Sequence, residues 1–277
     1  MKNLITRGLT GIIFVAVLVN ALYFHSVYFL SVFSLTTGFI LWEFYGLVQQ
    51  YENASIQRLA ASIGGTYLFA ASFLYANDLT SGIIFLPYLL FLMGMIIAPL
   101  YDKNCNPINK WSLTLLGQIY CAGSFSLLNF LTAVPNRPKE IAHFPYFTLA
   151  IFIFVWLNDT GAYLIGSMLG KHRLFERISP KKSWEGFFGG LICALASSQL
   201  FAYYISNINN LQWFGLALTI VVFGTWGDLV ESLLKRTLGV KDSGHILPGH
   251  GGMLDRFDSV MMAIPAAYVY IEFFIRN

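Results

Sequence analysis

Four carboxylates and a set of lysines and arginines stand where an otherwise apolar chain turns polar, and their spacing could do chemistry. On "GTWGDLVESLLKR", residues 224–236, helical spacing puts Asp228, Glu231, Ser232 and Lys235 on one face, at i, i+3, i+4 and i+7. Glu231 and Lys235 could form a simple i,i+4 pair, whereas Asp228 has no such easy partner within the helix. At the edge of the last apolar run, "GHGGMLDRFD" (249–258) supplies Asp255 and Asp258, which share a first turn if a helix begins near Asp255. Complementing a helix dipole would alone be worth roughly 0.3–1 kcal/mol for each. Upstream, "WLNDTGAYLIGSMLGKHRLFERISPKKSWEGFFGG" (156–190) sets Asn158 and Asp159 inside an apolar helix. A carboxylate there needs a cation, a metal or water beside it.

Each of these features has an ordinary structural explanation, but together they point to one chemistry. Asp159, Asp228, Asp255 and Asp258 repel one another unless a cation lies between them, and hard carboxylate oxygens suit Mg²⁺. The surrounding Lys181, Lys182, Lys235, Arg236 and Lys241 suit a polyphosphate, and Arg256 joins them among the substrate-binding candidates. Gly249, Gly251 and Gly252 allow close backbone approach to an anion and offer N–H groups to it. His250 could donate a hydrogen bond to phosphate or serve the loop structurally, and His245 fits the structural role better. Lys181 and Lys182, after Ser179-Pro180, read equally as membrane-face anchors or phosphate ligands. Gly170-Lys171 is followed by His172 and lacks the upstream glycine, so it is no Walker A loop.

The elements that must hold these residues are membrane helices. The chain has 277 residues, 56% hydrophobic, 17% aromatic and only 11% charged. Soluble domains carry about 25% charged residues, so this composition cannot cover a water-facing globule. A net charge of +3 is too small to suggest nucleic-acid binding. Cys105, Cys121 and Cys193 form no CxxC and read as small apolar residues. A spanning helix needs roughly 20 apolar residues, and nine segments qualify, near 5–24, 27–48, 58–76, 80–100, 111–134, 144–169, 186–206, 212–234 and 259–275. The fold class expected is therefore all-α, a polytopic integral membrane protein with about nine transmembrane helices. The basic start and apolar first segment resemble a signal peptide, but without an A-x-A-like site an uncleaved first helix is expected.

With nine spans, all but Arg137, Lys139 and Arg276 of the 17 Lys and Arg residues fall on one side. That asymmetry predicts a cytoplasmic N-terminus and an outside C-terminus in the inner membrane. Residues 1–157 hold few charges and none clustered, so chemistry is expected in a catalytic region over 144–277, with cytoplasmic loops at 170–185 and 235–258. Residues 1–143 would enclose a lipid pocket or pack between subunits, all within one integrated membrane domain.

The run from Ser232 to Asp258, S-L-L-K-R, four residues, K-D, then L-P-G-H-G-G-M-L-D-R-F-D, resembles the signature of the CDP-diacylglycerol synthase (phosphatidate cytidylyltransferase) family. N-D-T-G-A-Y and S-P-K-K-S-W-E-G upstream are also similar to that family, so the motifs cover about 156–259. The resemblance implies transfer of the cytidylyl group of CTP to phosphatidic acid, giving CDP-diacylglycerol and pyrophosphate for phospholipid synthesis. It implies Asp228 and Asp255 as Mg²⁺ ligands with Asp258 supporting, and Ser232, Lys235, Arg236 and Lys241 around the phosphates. A homodimer is implied by the resemblance alone, and the sequence leaves open a second, monovalent cation. The acyl chains would enter between helices and stay among membrane lipids.

Two other classes compete. A CTP-dependent kinase of the dolichol or phytol type has related motifs but would need a general base for a neutral alcohol. A proton- or cation-coupled transporter would spread its acids through the depth of the bilayer, whereas here they gather at one face beside lysines.

Overall fold

The computed structural model describes residues 2–23, 26–50, 56–103, 105–133, 145–205, 207–244, 246 and 251–276. It is almost wholly helical. In chain order run α1 (Lys2–Tyr23), α2 (Ser26–Val48), α3 (Arg58–Ala76), α4 (Leu86–Ile97), α5 (Pro107–Gly117), α6 (Ser124–Thr132), α7 (Tyr146–Leu169), α8 (Trp184–Tyr204), α9 (Asn210–Thr237) and α10 (Leu254–Phe274). Short 3₁₀ turns extend α4 to Gly82–Tyr101, and a π-helical turn at Gln118–Gly123 joins α5 to α6 into one span over Pro107–Thr132. Among the described residues, eight helices are long and apolar enough to cross a membrane, and α1 adds a shorter apolar stretch, Thr10–Tyr23. The nine expected segments all fall on helices. The chain is a multi-pass membrane protein.

The described residues gather into two compact units, residues 1–145 with 238–257, and residues 146–237 with 258–277. This grouping differs from a single division at 143/144 because residues 238–257 belong with the N-terminal helices. Aromatic packing in the first unit supplies the reason. Phe257, 1% exposed, meets Phe125 edge-on at 5.1 Å and Phe14 at 5.6 Å, and Phe125 in turn lies 6.4 Å from Phe33. The π-turn carries buried Gln118, whose amide donates to Tyr45 Oη and to the Ala61 carbonyl at 2.8 Å each, tying α2, α3 and the π-turn together.

The second unit is built on a seam of small residues. A Cβ on Gly161 would come 3.0 Å from the Gly190 Cα, and one on Gly166 would come 3.4 Å from the Gly186 Cα, so α7 and α8 run almost backbone to backbone. Small-xxx-small faces permit this approach, and van der Waals packing holds it where no hydrophobic effect operates between lipid-bathed helices. Of the Gly166/Gly170 pair seen in the sequence, Gly166 faces a glycine of α8, whereas Gly170 lies past the end of α7 against Ser183. Farther along, fully buried Trp213 of α9 packs on Phe147, Phe154 and Phe201.

The seam makes a direct prediction. A Cβ on Gly190 would lie 2.4 Å from the Asn158 carbonyl oxygen, whereas one on Gly94 of α4 meets nothing within 4 Å. Gly190→Ala should destabilise the protein by about 1–3 kcal/mol through overpacking. Gly94→Ala should be neutral or stabilising by up to about 1 kcal/mol through helix propensity. Thermal unfolding of the two purified variants in one detergent checks the contrast.

Candidate active site

The polar stretch between α7 and α8, expected as a loop, is an antiparallel hairpin of β1 (Arg173–Phe175) and β2 (Ser179–Ser183), with Arg173 opposite Ser183 and Phe175 opposite Ser179. Strands this short and polar carry no apolar alternation, so the sequence gives little sign of them. Two contacts hold the hairpin to α8. Ser183 caps the helix, its Oγ accepting from the Gly186 N–H at 3.1 Å. Glu185 in the first turn accepts from the backbone N–H groups of Lys171 and His172 at 3.1 and 3.2 Å, and meets His172 Nδ1 at 2.6 Å.

So fixed, β2 presents Lys182 to α9. Its ammonium pairs with Asp228 Oδ2, while Ser232 Oγ donates to Oδ1 of the same carboxylate at 3.2 Å. Asp228 therefore has a partner one turn away on its own helix as well as a cation from the hairpin. Asp159 of α7 lies within electrostatic range of Lys182 and Asp228. Asp258, in the first turns of α10, lies within such range of Asp159, Asp228 and Glu231. Glu231 is fully buried and pairs with Lys235 at 3.0 Å, as the i,i+4 spacing suggested.

These side chains border a cavity of about 640 Å³, lined by Asn158, Asp159, Tyr163 and Ser167 of α7, Arg173, Lys181 and Lys182 of the hairpin, Phe187 of α8, and Thr225 and Asp228 of α9. The volume falls in the range of small-molecule sites, roughly 300–1,000 Å³. Two carboxylates and three cations share its wall, Lys182 directly paired with Asp228, with an aromatic ring on each of α7 and α8. Such a wall can hold a phosphorylated ligand by its charges and a planar or apolar portion by its rings.

The structure thus gathers Asn158, Asp159, Lys181, Lys182 and Asp228 around one cavity, with Ser232 bonded to Asp228. Lys235 is spoken for by Glu231, and Arg236 is exposed near the end of α9. Asp255, Gly251, Gly252, Lys241 and Arg256 belong to the first unit. There Asp255 accepts from the backbone N–H groups of Ser243, at 2.9 and 3.1 Å to its two oxygens, and of Gly252 at 2.9 Å. Gly251 has φ +83°, in the left-handed region open to glycine. Lys241 and Arg256 are exposed. His250, with His245 and Gly249, lies outside the described residues.

Sequence reasoning missed Arg173, which the hairpin brings to the cavity, Thr225, one turn before Asp228 on α9, and Glu185, which fastens the hairpin. It also missed Glu43, a solitary acid in an apolar helix and now a buried one, 4% exposed. Its position was the available signal.

Among the described residues no group of three or more His, Cys, Asp or Glu side chains is gathered tightly enough to hold a metal ion by itself. Mg²⁺, however, is commonly held by one or two carboxylates, with phosphate oxygens and waters completing its shell. Asp228 and Asp258 offer hard oxygen donors of that kind, and the mutual repulsion of Asp159, Asp228 and Asp258 is relieved by any added cation. The residues present fit the ion as one shared with a phosphorylated ligand.

The cytidylyltransferase family profile matches residues 5–274. The chain belongs to the cytidylyltransferase family. It is similar to the phosphatidate cytidylyltransferase of Staphylococcus aureus (strain COL), 54% identical over 121 residues, covering 43% of this chain and 46% of the relative. The same-named proteins of Staphylococcus saprophyticus and Staphylococcus epidermidis are each 52% identical. The first matches over 162 residues (57% of this chain and 60% of the relative), the second over 178 (63% and 66%). The matches span about half to two thirds of the length of these curated relatives.

Family membership makes the Lys182–Asp228 pair a testable centre. Both side chains are largely shielded, 29% and 23% exposed, so removing either leaves the other charge poorly compensated. In a double-mutant cycle of Lys182→Met and Asp228→Asn, the single changes should each destabilise the protein and the pair should cost less than their sum. A coupling of about 0.5–3 kcal/mol is expected from unfolding in detergent. Additive losses would show that the two groups do not act together.

Proposed function

We propose that the chain transfers the cytidylyl group of CTP to phosphatidic acid, forming CDP-diacylglycerol and releasing pyrophosphate. The observation that carries this reading is the apposition of carboxylates and cations around one cavity in a membrane protein of the cytidylyltransferase family. The named relatives support the choice of lipid phosphate as acceptor.

The chemistry needs no side-chain nucleophile. A phosphatidate oxygen, already anionic, attacks the α-phosphorus of CTP; the new O–P bond forms as the bond to the β-phosphate oxygen breaks, and pyrophosphate leaves with that electron pair. The obstacle is repulsion between two polyanions, so positioning and electrostatics dominate. Lys181, Lys182 and Arg173 would hold phosphate oxygens, with Lys182 exchanging its Asp228 contact for the nucleotide. Asn158 and Asp159 would orient polar groups of the substrate, and Tyr163 or Phe187 would pack its planar base. When bound at Asp228 and Asp258, Mg²⁺ would neutralise phosphate charge and favour departure of pyrophosphate. The acyl chains remain in the lipid phase while the headgroup reaches the cavity. We place the protein in the cytoplasmic membrane with its N-terminus inside, on the basis of the lysine and arginine asymmetry.

Purified protein given CTP labelled in its base and phosphatidic acid should form labelled CDP-diacylglycerol and one pyrophosphate per turnover. Release of CDP, or phosphorylation of a polyprenol, would instead identify a lipid kinase. Asp228→Asn should lower turnover at least about 100-fold, the scale for losing an electrostatic group at a reacting centre. Chelation of divalent ions should stop the reaction and Mg²⁺ should restore it; wild-type rates in chelator would remove the metal from the proposal. In a cysteine-replaced background, an impermeant maleimide should label Arg276→Cys but not Lys241→Cys in right-side-out vesicles. The reverse pattern would invert the topology.

A further inference from the structure

Glu43 of α2 is buried, with Arg58 within electrostatic range, and burial of a carboxylate is costly unless its oxygens are used. One of them is used on the loop before α10, while Oε1 has no hydrogen-bond partner among the described residues. Oε2 accepts from the Leu254 backbone N–H at 2.8 Å and from Ser243 Oγ at 3.2 Å. Leu254 opens α10, so this contact satisfies an N–H that the helix leaves unpaired and sets a negative charge at its positive end. From the other side, Asp255 accepts the backbone N–H groups of Ser243 and Gly252. Two carboxylates therefore grip the same short stretch of chain.

The glycines there report how tight the grip is. A Cβ on Gly244 would sit 2.4 Å from Glu43 Oε1, and every close atom it meets belongs to Glu43. A Cβ on Gly252 would sit 2.4 Å from Glu43 Oε2 and closer still to Ser243 Oγ. Glu43 excludes a side chain at Gly244, and Ser243 Oγ together with Glu43 excludes one at Gly252; neither has a left-handed φ, which among the described glycines Gly239 and Gly251 have.

We propose that Glu43 is a positioning residue for the reaction proposed above: it fixes the glycine-bearing loop and the start of α10, and so sets the orientation of Asp255 and of the turn leading to Asp258. It touches no substrate in this role. The inference rests on the cytidylyltransferase reading for its consequence in turnover, but its structural half can be measured without turnover.

The experiment uses the full chain in detergent and compares Glu43→Ala, Glu43→Gln, Gly244→Ala and the Glu43→Ala/Gly244→Ala pair. Hydrogen exchange across 243–255 should quicken at least about tenfold in Glu43→Ala while exchange in α7–α9 stays at the wild-type rate. Glu43→Gln keeps an acceptor oxygen and should recover most of the protection. In turnover of CTP with phosphatidic acid, Glu43→Ala should lower kcat at least about tenfold and raise the Mg²⁺ needed for half-maximal rate. The KM for CTP should move less than about threefold, and Glu43→Gln should restore most of kcat; a general loss of folding would produce neither pattern. Gly244→Ala alone should resemble Glu43→Ala, and the pair should be no worse than Glu43→Ala, since the clash has gone.

Wild-type exchange and turnover in Glu43→Ala, or strict additivity in the pair, would overturn the proposal. If Glu43→Ala does not fold, Glu43→Asp with and without Gly244→Ala decides the same point, because the shorter acid withdraws from Gly244. Should the wild type turn over no CTP at all, the functional reading falls. The exchange data on these variants would then still decide whether Glu43 holds the loop.

Discussion

A carboxylate inside a membrane protein is stable as an anion only where a cation or hydrogen-bond donors meet it, and the Lys182–Asp228 pair is where this chain satisfies that condition most directly. Asp228 could not sit on an apolar helix among Asp159, Glu231 and Asp258 without positive charge close by. Lys182 supplies it from another element, and Lys235 does the same for Glu231.

The pair depends in turn on a structural constraint: the hairpin must be held at a fixed height over α9. Glycines 161, 166, 186 and 190 draw α7 and α8 together, and the hairpin connecting them is tied down by Ser183 and Glu185 rather than by a core of its own. Two strands this short would not be stable alone. Their order comes from the helices they join and from the backbone N–H groups that Glu185 accepts. A second device of the same kind operates in the first unit, where Glu43 and Asp255 fasten the segment ahead of α10 and Phe257 anchors it among the N-terminal aromatics.

Much of this was legible residue by residue. The apolar segments appear as helices close to their expected limits, because a helix is the answer available to some 20 apolar residues whose backbone cannot bond to water. α10 begins at Leu254, close to where the sequence reading set it, with Asp255 in its first turn and Asp258 just beyond. The i,i+4 logic on α9 gave both the Glu231–Lys235 pair and the nearness of Ser232 to Asp228. Of the charges singled out in 156–190 and 224–236, Asp159, Lys181, Lys182 and Asp228 border one cavity, and Gly166 packs closely as its spacing suggested. What stayed hidden was long-range partnership. Nothing in the order of residues tied Lys182 to Asp228, 46 positions away, or Glu43 to Leu254, 211 positions away. Glu43 was passed over because charge clustering along the chain was the guide, and a lone acid forms no cluster.

The chain by itself determined a helical membrane protein, the location of its polar segments and the kind of chemistry those segments suit, since hydropathy and local periodicity are properties of neighbouring residues. Tertiary structure decided which acid meets which base, that residues 238–257 pack with the N-terminal helices, and that 170–185 folds as a hairpin. Those outcomes depend on helices meeting at small residues and on buried carboxylates finding donors far away in the chain, and both are settled only when the segments pack.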